Sequence, residues 1–184
     1  MRKPTVGALG KQATSIVIIS IAMLGLSAPS SAAAPGTKLC ADSSTNVRDI
    51  DLPGQKPDTK IAADVCVSLS ASGHIQASTT LTWAILEDQV QDRSKRFTSF
   101  TVTTRAEKRQ TSDGADNVVA STTCDFTKQL NDAWANATGL TCAATSVAFD
   151  PSQWWSSDTT VVYNVEGDNK GAVTWQLGGS PLIH

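Results

Sequence analysis

The sequence predicts an all-β protein, an antiparallel β-sandwich of about seven to eight strands with one short helix. Three observations favour this class. Apolar and polar residues alternate over long stretches, which is the period of a half-buried strand. Turn-forming residues separate these stretches at short intervals, and four cysteines can tie the chain together. An open β-barrel is the second choice, because similar strands can also curl into a partly closed sheet.

The alternation is clearest from residue 61 onward. Two alternating runs, 61–69 and 75–85, flank the turn residues Ser70-Ala71-Ser72-Gly73 and predict a β-hairpin. Further strands are predicted over 96–106, 118–126, 140–149, 161–165 and 173–177, the last two as a hairpin around the turn 167–171.

One segment has helical spacing instead of strand spacing. Its apolar residues recur at intervals of three and four, and Gly139 follows as a helix-ending residue. The apolar positions are Phe126, Leu130, Ala133, Trp134 and Ala137. They predict a short amphipathic helix between two strands.

The beginning of the chain has the pattern of a secretory signal peptide over 1–33. Basic residues precede an apolar core of about 16 residues, and small residues up to Ala33 follow it. Because about 20 apolar residues are needed to span a bilayer, we expect export and no membrane contact after cleavage. The remaining chain is predicted to comprise an extended arm, 34–60, and a sandwich domain, 61–184.

All four cysteines follow the predicted cleavage site. An even number in an exported chain predicts two disulfides, and the absence of closely spaced Cys pairs argues against a zinc site. The pairing Cys40–Cys66 with Cys124–Cys142 closes the shortest loops and is the predicted one. The other two connectivities stay open at this level.

Charge is distributed unevenly along the chain. Without the signal peptide, 12 basic residues face 17 acidic ones, which disfavours binding to nucleic acid or anionic membranes. The stretch 93–109 nevertheless holds six basic residues and a single acid, Glu107, and could contact an acidic protein partner. A solvated edge strand is the alternative. The candidate residues are Arg93, Lys95, Arg96, Arg105, Lys108 and Arg109.

The adjacent tryptophans Trp154 and Trp155 are the second candidate site. Neighbouring side chains diverge in extended backbone, so one ring is expected in the core and the other in water. An exposed indole beside polar residues could stack on a sugar ring. The alternative is a tryptophan lid that closes the end of the sandwich.

Few residues are suited to catalysis. His74 falls on the polar phase of a strand beside a turn, His184 is the final residue, and the acids are scattered. The acidic segments 113–117 and 166–169 have the composition of ordinary turns rather than of a calcium loop. The sequence therefore predicts no enzyme activity, no metal and no cofactor.

Together these features predict a secreted, non-enzymatic protein of bacterial type that binds another secreted or cell-surface protein. It would serve as an adaptor subunit of an extracellular assembly, for example a secreted antibacterial toxin complex. One alternative is a protease inhibitor that presents Lys56 or Lys60 between Cys40 and Cys66. The other is a carbohydrate-binding module that uses Trp154 and Trp155.

Overall fold

Strands make up most of the computed structural model, which describes residues 32–86, 94–132 and 136–184, apart from the side chains of 136–138. Nearly all of the predicted signal peptide and Arg93 lie outside these ranges. The strands are β1 Lys38–Cys40, β2 Val47–Ile50, β3 Thr59–Leu69, β4 His74–Ile85, β5 Phe97–Arg109, β6 Asn117–Asp125, β7 Asn136–Ala143, β8 Val147–Ala148, β9 Trp154–Val165 and β10 Val173–Gln176, and the helix is α1 Thr127–Asp132.

The strands form two antiparallel sheets. The first has the order β1-β3-β4-β7, with β2 also paired to β3 and β8 also paired to β4. The second has the order β10-β9-β5-β6. Both predicted hairpins are present, as β3–β4 and β9–β10. The prediction of a disulfide-stabilised all-β sandwich is confirmed.

The hydrophobic core lies between the two sheets, because each long strand turns alternate apolar side chains inward. The largest buried cluster takes side chains from both sheets, among them Ile61, Val65, Leu81, Phe100, Val102 and Val161. The rings of Phe97, Phe100 and Tyr163 contact one another within this cluster. This core fixes β5 and β9, the central strands of the second sheet, and thereby their outward-facing side chains.

Both predicted disulfides are confirmed. Cys40 and Cys66 are directly opposite each other on β1 and β3, with their Cα atoms 4.0 Å apart. Cys124 on β6 is joined to Cys142 on β7, with a Cα–Cα distance of 5.7 Å. The second bond therefore links the end strands of the two sheets.

The segment 34–60 differs from the extended arm that was expected. Within it β1 and β2 both pair with β3, and a turn of 3-10 helix, Ser43–Thr45, lies between them. These strands have only three and four residues, which is too short for an alternating pattern to be visible. They gain their position from β3 and from the disulfide at Cys40.

The helix is shorter than predicted. It ends at Asp132, residues 133–135 lie outside the described ranges, and Ala137 already belongs to β7. Gly139 does not end a helix but lies within β7, where its φ of 77° accompanies a register shift opposite Leu81 and Trp83. A positive φ is easy for glycine and is typical of the extra residue in a β-bulge.

Candidate functional site

A row of polar and charged side chains crosses the outer face of the second sheet. In the register of β5 and β9, Arg105 is opposite Asp158, Glu107 is opposite Ser156 and Arg109 is opposite Trp154. Alternate residues of a strand share a face, and the intervening Ala106, Ser157 and Trp155 are buried. The six opposed residues therefore lie on one face of the sheet, and we call them the outer row; two of them, Glu107 and Ser156, are themselves buried.

Arg105 organises one end of the outer row. Its Nη2 lies 2.8 Å from Asp158 Oδ2, and its Nε lies 3.3 Å from Glu107 Oε1. Its Nη1 donates to the Thr160 hydroxyl at 2.9 Å. The side chain is only 19% exposed, so these contacts compensate its charge within the protein.

Arg109 has an equivalent position towards the other end. Its Nη2 lies 2.6 Å from Asp116 Oδ1 and donates to the Ser156 hydroxyl at 3.3 Å. Nη1 donates to the carbonyl of Ser112 at 3.4 Å. These contacts hold the loop before β6 against the outer row.

Glu107 lies between the two arginines and is only 5% exposed. Burial, together with the charges of Asp158 and Asp116, raises the pKa of the Glu107 carboxyl, although Arg105 acts in the opposite direction. The contact with Arg105 uses Oε1. Within the described residues, Oε2 has no hydrogen-bond partner.

A depression of about 380 Å³ opens beside this carboxylate. The outer row forms one wall and the segment after β10 forms the other. Its lining residues include Glu107, Arg109, Asp158, Ser157, Gly179 and Ser180. Ser157 is completely buried, and its hydroxyl has no partner among the described residues. Arg109 Nε, in the same lining, is likewise a buried donor without a partner among the described residues. The Ser157 side chain lies on the opposite face of β9 from Ser156 and Asp158.

The two tryptophans diverge as expected from extended backbone. Trp155 is 2% exposed, packs with Val67, Leu69 and Ile183, and donates its indole N–H to the carbonyl of Asp150. Trp155 is thus part of a buried cluster, and its role as a lid stays a prediction. Trp154 is partly exposed and its ring stacks on His184 at a centroid distance of 4.3 Å. Binding of a glycan by either ring stays a prediction.

The basic residues that the structure describes within 94–109 do not form one exposed patch. Arg96 was expected at a partner surface, but it is 1% exposed, its guanidinium lies 4.9 Å from the Trp83 ring, and it donates to the carbonyl of Leu130. That expectation is wrong for Arg96, because long-range packing buries it. Lys108 lies 5.9 Å from the Trp155 ring, and Lys95 is exposed.

Sequence reasoning missed the contacts that Glu107, Asp116 and Asp158 make with the two arginines. The sequence does contain a local pattern that could have indicated them. Opposite charges alternate along β5 at 105, 107 and 109, and polar residues follow Trp154 at every second position of β9. That pattern places the groups on one face of a strand. It does not reveal that β5 and β9 are neighbours, which is what assembles the outer row.

The other candidate residues occupy ordinary surface positions. Nδ1 of His74 lies 3.1 Å from the carbonyl oxygen of Ser72 and 3.4 Å from the Ser72 hydroxyl. Lys56 donates to the carbonyl of Lys95, and Lys60 contacts Asp49.

Within the described ranges no group of three or more His, Cys, Asp or Glu side chains is arranged to hold a metal ion. The same part of the chain has no helix with the length and apolarity to span a membrane. A larger depression of about 630 Å³ lies beside α1. Its lining includes Lys95, Asp125 and Asp132.

Comparison of the chain with protein-family models, with curated proteins and with solved structures gives no match in any of the three.

Proposed function

We propose that the protein is exported and acts as a non-enzymatic binding domain, which pairs the free edge of β6 with an extended segment of another extracellular protein. The predicted signal peptide and the two disulfides support export, since disulfides persist in oxidising compartments. The observation that carries the binding mode is the character of β6 as an edge strand.

Among the described residues, β6 is an end strand of the second sheet and pairs with β5 on one side only. Its nine residues make it longer than the other end strands among the described residues: β1, β7 and β10 have three, eight and four. Proteins commonly protect such an edge with Lys, Pro or very short strands. The sequence of β6, NVVASTTCD, contains neither Lys nor Pro.

The register identifies which backbone groups of β6 point outward. The N–H of Phe126 donates to the carbonyl of Phe100, so even-numbered residues from Ala120 to Cys124 bond towards β5. The N–H and C=O groups of Ser121, Thr123 and Asp125 then point away from β5. No backbone hydrogen bond joins them to another described residue.

A register shift between Ala106 and Glu107 limits the usable edge. It leaves Val119 as an extra residue on β6, and such a bulge turns the edge away from a regular partner. The regular part therefore runs from Ala120 to Asp125. Addition of a strand there would supply main-chain hydrogen bonds for affinity, with side chains of the two faces providing selectivity.

Thr123→Pro tests this binding mode. Proline removes an outward N–H that the fold does not use, and edge strands tolerate it at such positions. Thr123→Ala is the matched control, because it removes the hydroxyl contact with Thr103 but keeps the N–H. Immobilised mature protein and both variants would be exposed to the culture fluid of the source organism, and bound proteins identified by mass spectrometry.

We expect a partner that binds the wild type and Thr123→Ala but not Thr123→Pro. Hydrogen exchange at the amides of Ser121, Thr123 and Asp125 should slow when this partner is added. A partner retained equally by Thr123→Pro would contradict strand addition. A purified wild type that is dimeric, with Thr123→Pro monomeric, would show that a second copy occupies the edge instead.

A further inference from the structure

We propose that the protein cleaves its own peptide bond between Asp150 and Pro151 in acid, with the Asp150 carboxylate as the nucleophile. This is the one Asp-Pro bond in the sequence, and it lies on an exposed turn directly before β9. The turn is separate from β6, the strand of the proposed function. Three features make the bond reactive: its leaving group, the position of the carboxylate and the hydrogen bonds on its carbonyl oxygen.

The leaving group is the nitrogen of Pro151. It belongs to a tertiary amide and has no hydrogen, and such a nitrogen takes up a proton from acidic solvent more readily than the nitrogen of an ordinary peptide bond. An aspartate carboxylate can also form a five-membered ring with the carbonyl carbon of its own residue. Nucleophile and target are therefore already joined, which favours the attack.

The Asp150 carboxylate is held across the bond that it attacks. Its Oδ1 accepts hydrogen bonds from the hydroxyl of Ser152 at 2.7 Å and from the Ser152 N–H at 2.9 Å. The second bond closes a ring of atoms that includes the Asp150–Pro151 bond, so the side chain is folded over this bond. Oδ2 makes no hydrogen bond to a described residue and is left for the attack.

The same hydrogen bonds keep the carboxyl ionised in acid. Those from Ser152 lower the pKa of Asp150, and the charge of Lys108 on β5 acts in the same direction. The nucleophilic carboxylate therefore persists in more acidic solution than an ordinary aspartate does. Protonation of the proline nitrogen is more frequent under those conditions.

The carbonyl oxygen of Asp150 accepts two hydrogen bonds. One comes from the N–H of Gln153 at 3.1 Å, as in many turns, and the other comes from the indole N–H of Trp155 at 2.9 Å. Trp155 is 2% exposed, so the core fixes this second donor. Negative charge develops on the oxygen when the carboxylate attacks, and donors that are already in place stabilise that charge.

The reaction is the hydrolysis of one peptide bond in two steps. In the first, Oδ2 bonds to the carbonyl carbon of Asp150, the C–N bond to Pro151 breaks, and the proline nitrogen takes a proton from the solvent. The product is a five-membered cyclic anhydride at Asp150. Water then opens the anhydride, which restores the side-chain carboxyl and leaves a new main-chain carboxyl beside it.

Cleavage leaves two pieces that stay associated. All four cysteines precede Asp150, so no disulfide holds the piece 151–184. This piece contains β9 and β10, and β9 is a central strand that pairs with β5 along most of its length. The piece therefore remains in the sheet and separates when the protein unfolds.

The test uses the mature protein at the most acidic pH values at which circular dichroism shows it folded, with a parallel sample unfolded in urea at each pH. Mass spectrometry of reduced, denatured samples measures the fragments that end at Asp150 and begin at Pro151. We expect the folded protein to cleave about tenfold faster or more, because only the fold places the indole donor. Gel filtration without urea should still show a single species.

Variants identify the groups responsible. Trp155→Phe removes the indole N–H but keeps an aromatic ring, and it should slow cleavage towards the rate in urea. Asp150→Glu requires a six-membered ring and should also be slower. Trp154→Phe is the matched control, because that ring stacks on His184 instead, and it should cleave like wild type. Thr123→Pro should do so too, which separates this site from the proposed function.

Equal rates in the folded and the unfolded wild type would overturn the proposal, because the bond would then have only the general acid lability of Asp-Pro. Absence of cleavage in the folded protein would overturn it as well. A folded Trp155→Phe that cleaves as fast as wild type would contradict the role of the indole. If Trp155→Phe does not fold, the comparison of folded and unfolded wild type still decides the outcome.

Discussion

The side-chain amide of Asn46 makes both hydrogen bonds that a neighbouring strand would make to Gly178. Asn46 Oδ1 accepts from the Gly178 N–H at 2.6 Å, and Asn46 Nδ2 donates to the Gly178 carbonyl at 3.0 Å. The two residues are 132 positions apart. Asn46, 1% exposed, thereby ties the segment before β2 to the segment after β10, which forms one wall of the depression.

Replacement of Asn46 tests this connection. Asn46→Ala leaves two backbone groups of Gly178 without their partner and should lower the free energy of unfolding by about 1–3 kcal/mol. Asn46→Asp is the informative comparison, because an ionised carboxylate still accepts from the N–H but repels the carbonyl. Urea unfolding should therefore show that Asn46→Asp lowers the free energy of unfolding at neutral pH, and that this loss becomes smaller at acidic pH, where the carboxylate is protonated. Equal stability of Asn46→Ala and wild type would contradict this role.

Three buried threonines join the two sheets through their hydroxyls. Thr79 on β4 is 2.6 Å from Thr159 on β9 and accepts from Thr104 on β5 at 2.7 Å. Each is 0% exposed. Thr79→Val removes the central hydroxyl and leaves two others unsatisfied, whereas Thr104→Val leaves the Thr79–Thr159 pair intact. We expect losses in unfolding free energy of about 2 and about 1 kcal/mol respectively.

Urea unfolding at neutral pH measures both threonine variants. The order of the two losses is the critical result, because valine is close to threonine in shape and transfer effects are similar at the two sites. If Thr104→Val proved as damaging as Thr79→Val, the hydroxyls would not act as a chain centred on Thr79.

Features that depend on residues close together in the sequence could be predicted, whereas features that depend on residues far apart in the sequence could not. Alternation within one strand is local, so β3, β4 and β5 could be predicted from their own residues, and both disulfides close short segments. Arg96 was misplaced because its burial depends on Trp83 and Leu130, which lie far from it in sequence. Glu107 resembled an ordinary surface acid because Asp158 and Ser156 come close to it only after β5 and β9 pair.

Only part of β9 could be predicted from the sequence. Its first half, Trp154–Thr159, contains Ser156, Ser157 and Asp158 and does not have the apolar alternation of a strand. Ser156 and Ser157 are nevertheless buried, since β5 and the segment after β10 cover them. Only the second half, from Val161, was predictable from its own residues.

The disulfide between β6 and β7 should stabilise the edge strand on which the proposed function depends. Cys124→Ala with Cys142→Ala removes a cross-link between residues 18 positions apart, and the expected loss is about 3 kcal/mol on the chain-entropy model. Hydrogen exchange should accelerate in β6 more than in β3. The matched control, Cys40→Ala with Cys66→Ala, should show the reverse pattern. Unchanged exchange in β6 would mean that pairing with β5 alone fixes this strand.

The raised pKa of Glu107 gives stability a specific dependence on pH. Its cause is burial, reinforced by Asp158 and Asp116. A carboxyl with a higher pKa in the folded state binds its proton more tightly there, so its stabilising contribution is complete below the unfolded-state pKa. This contribution is lost as the pH rises through the interval from the ordinary glutamate pKa to the raised one. Glu107→Gln cannot ionise and should not show this loss.

The difference in unfolding free energy between Glu107→Gln and wild type should therefore increase with pH across that interval and become constant above it. Asp125 and Asp150 act in the opposite direction, because hydrogen bonds from Thr127 and Ser152 lower their pKa values. Their effects are common to both proteins and cancel in the difference. Urea unfolding at closely spaced pH values measures this difference in unfolding free energy. Asp113→Asn, on an exposed turn, is the control. A difference that falls with rising pH would mean that Arg105, rather than burial, dominates the environment of Glu107.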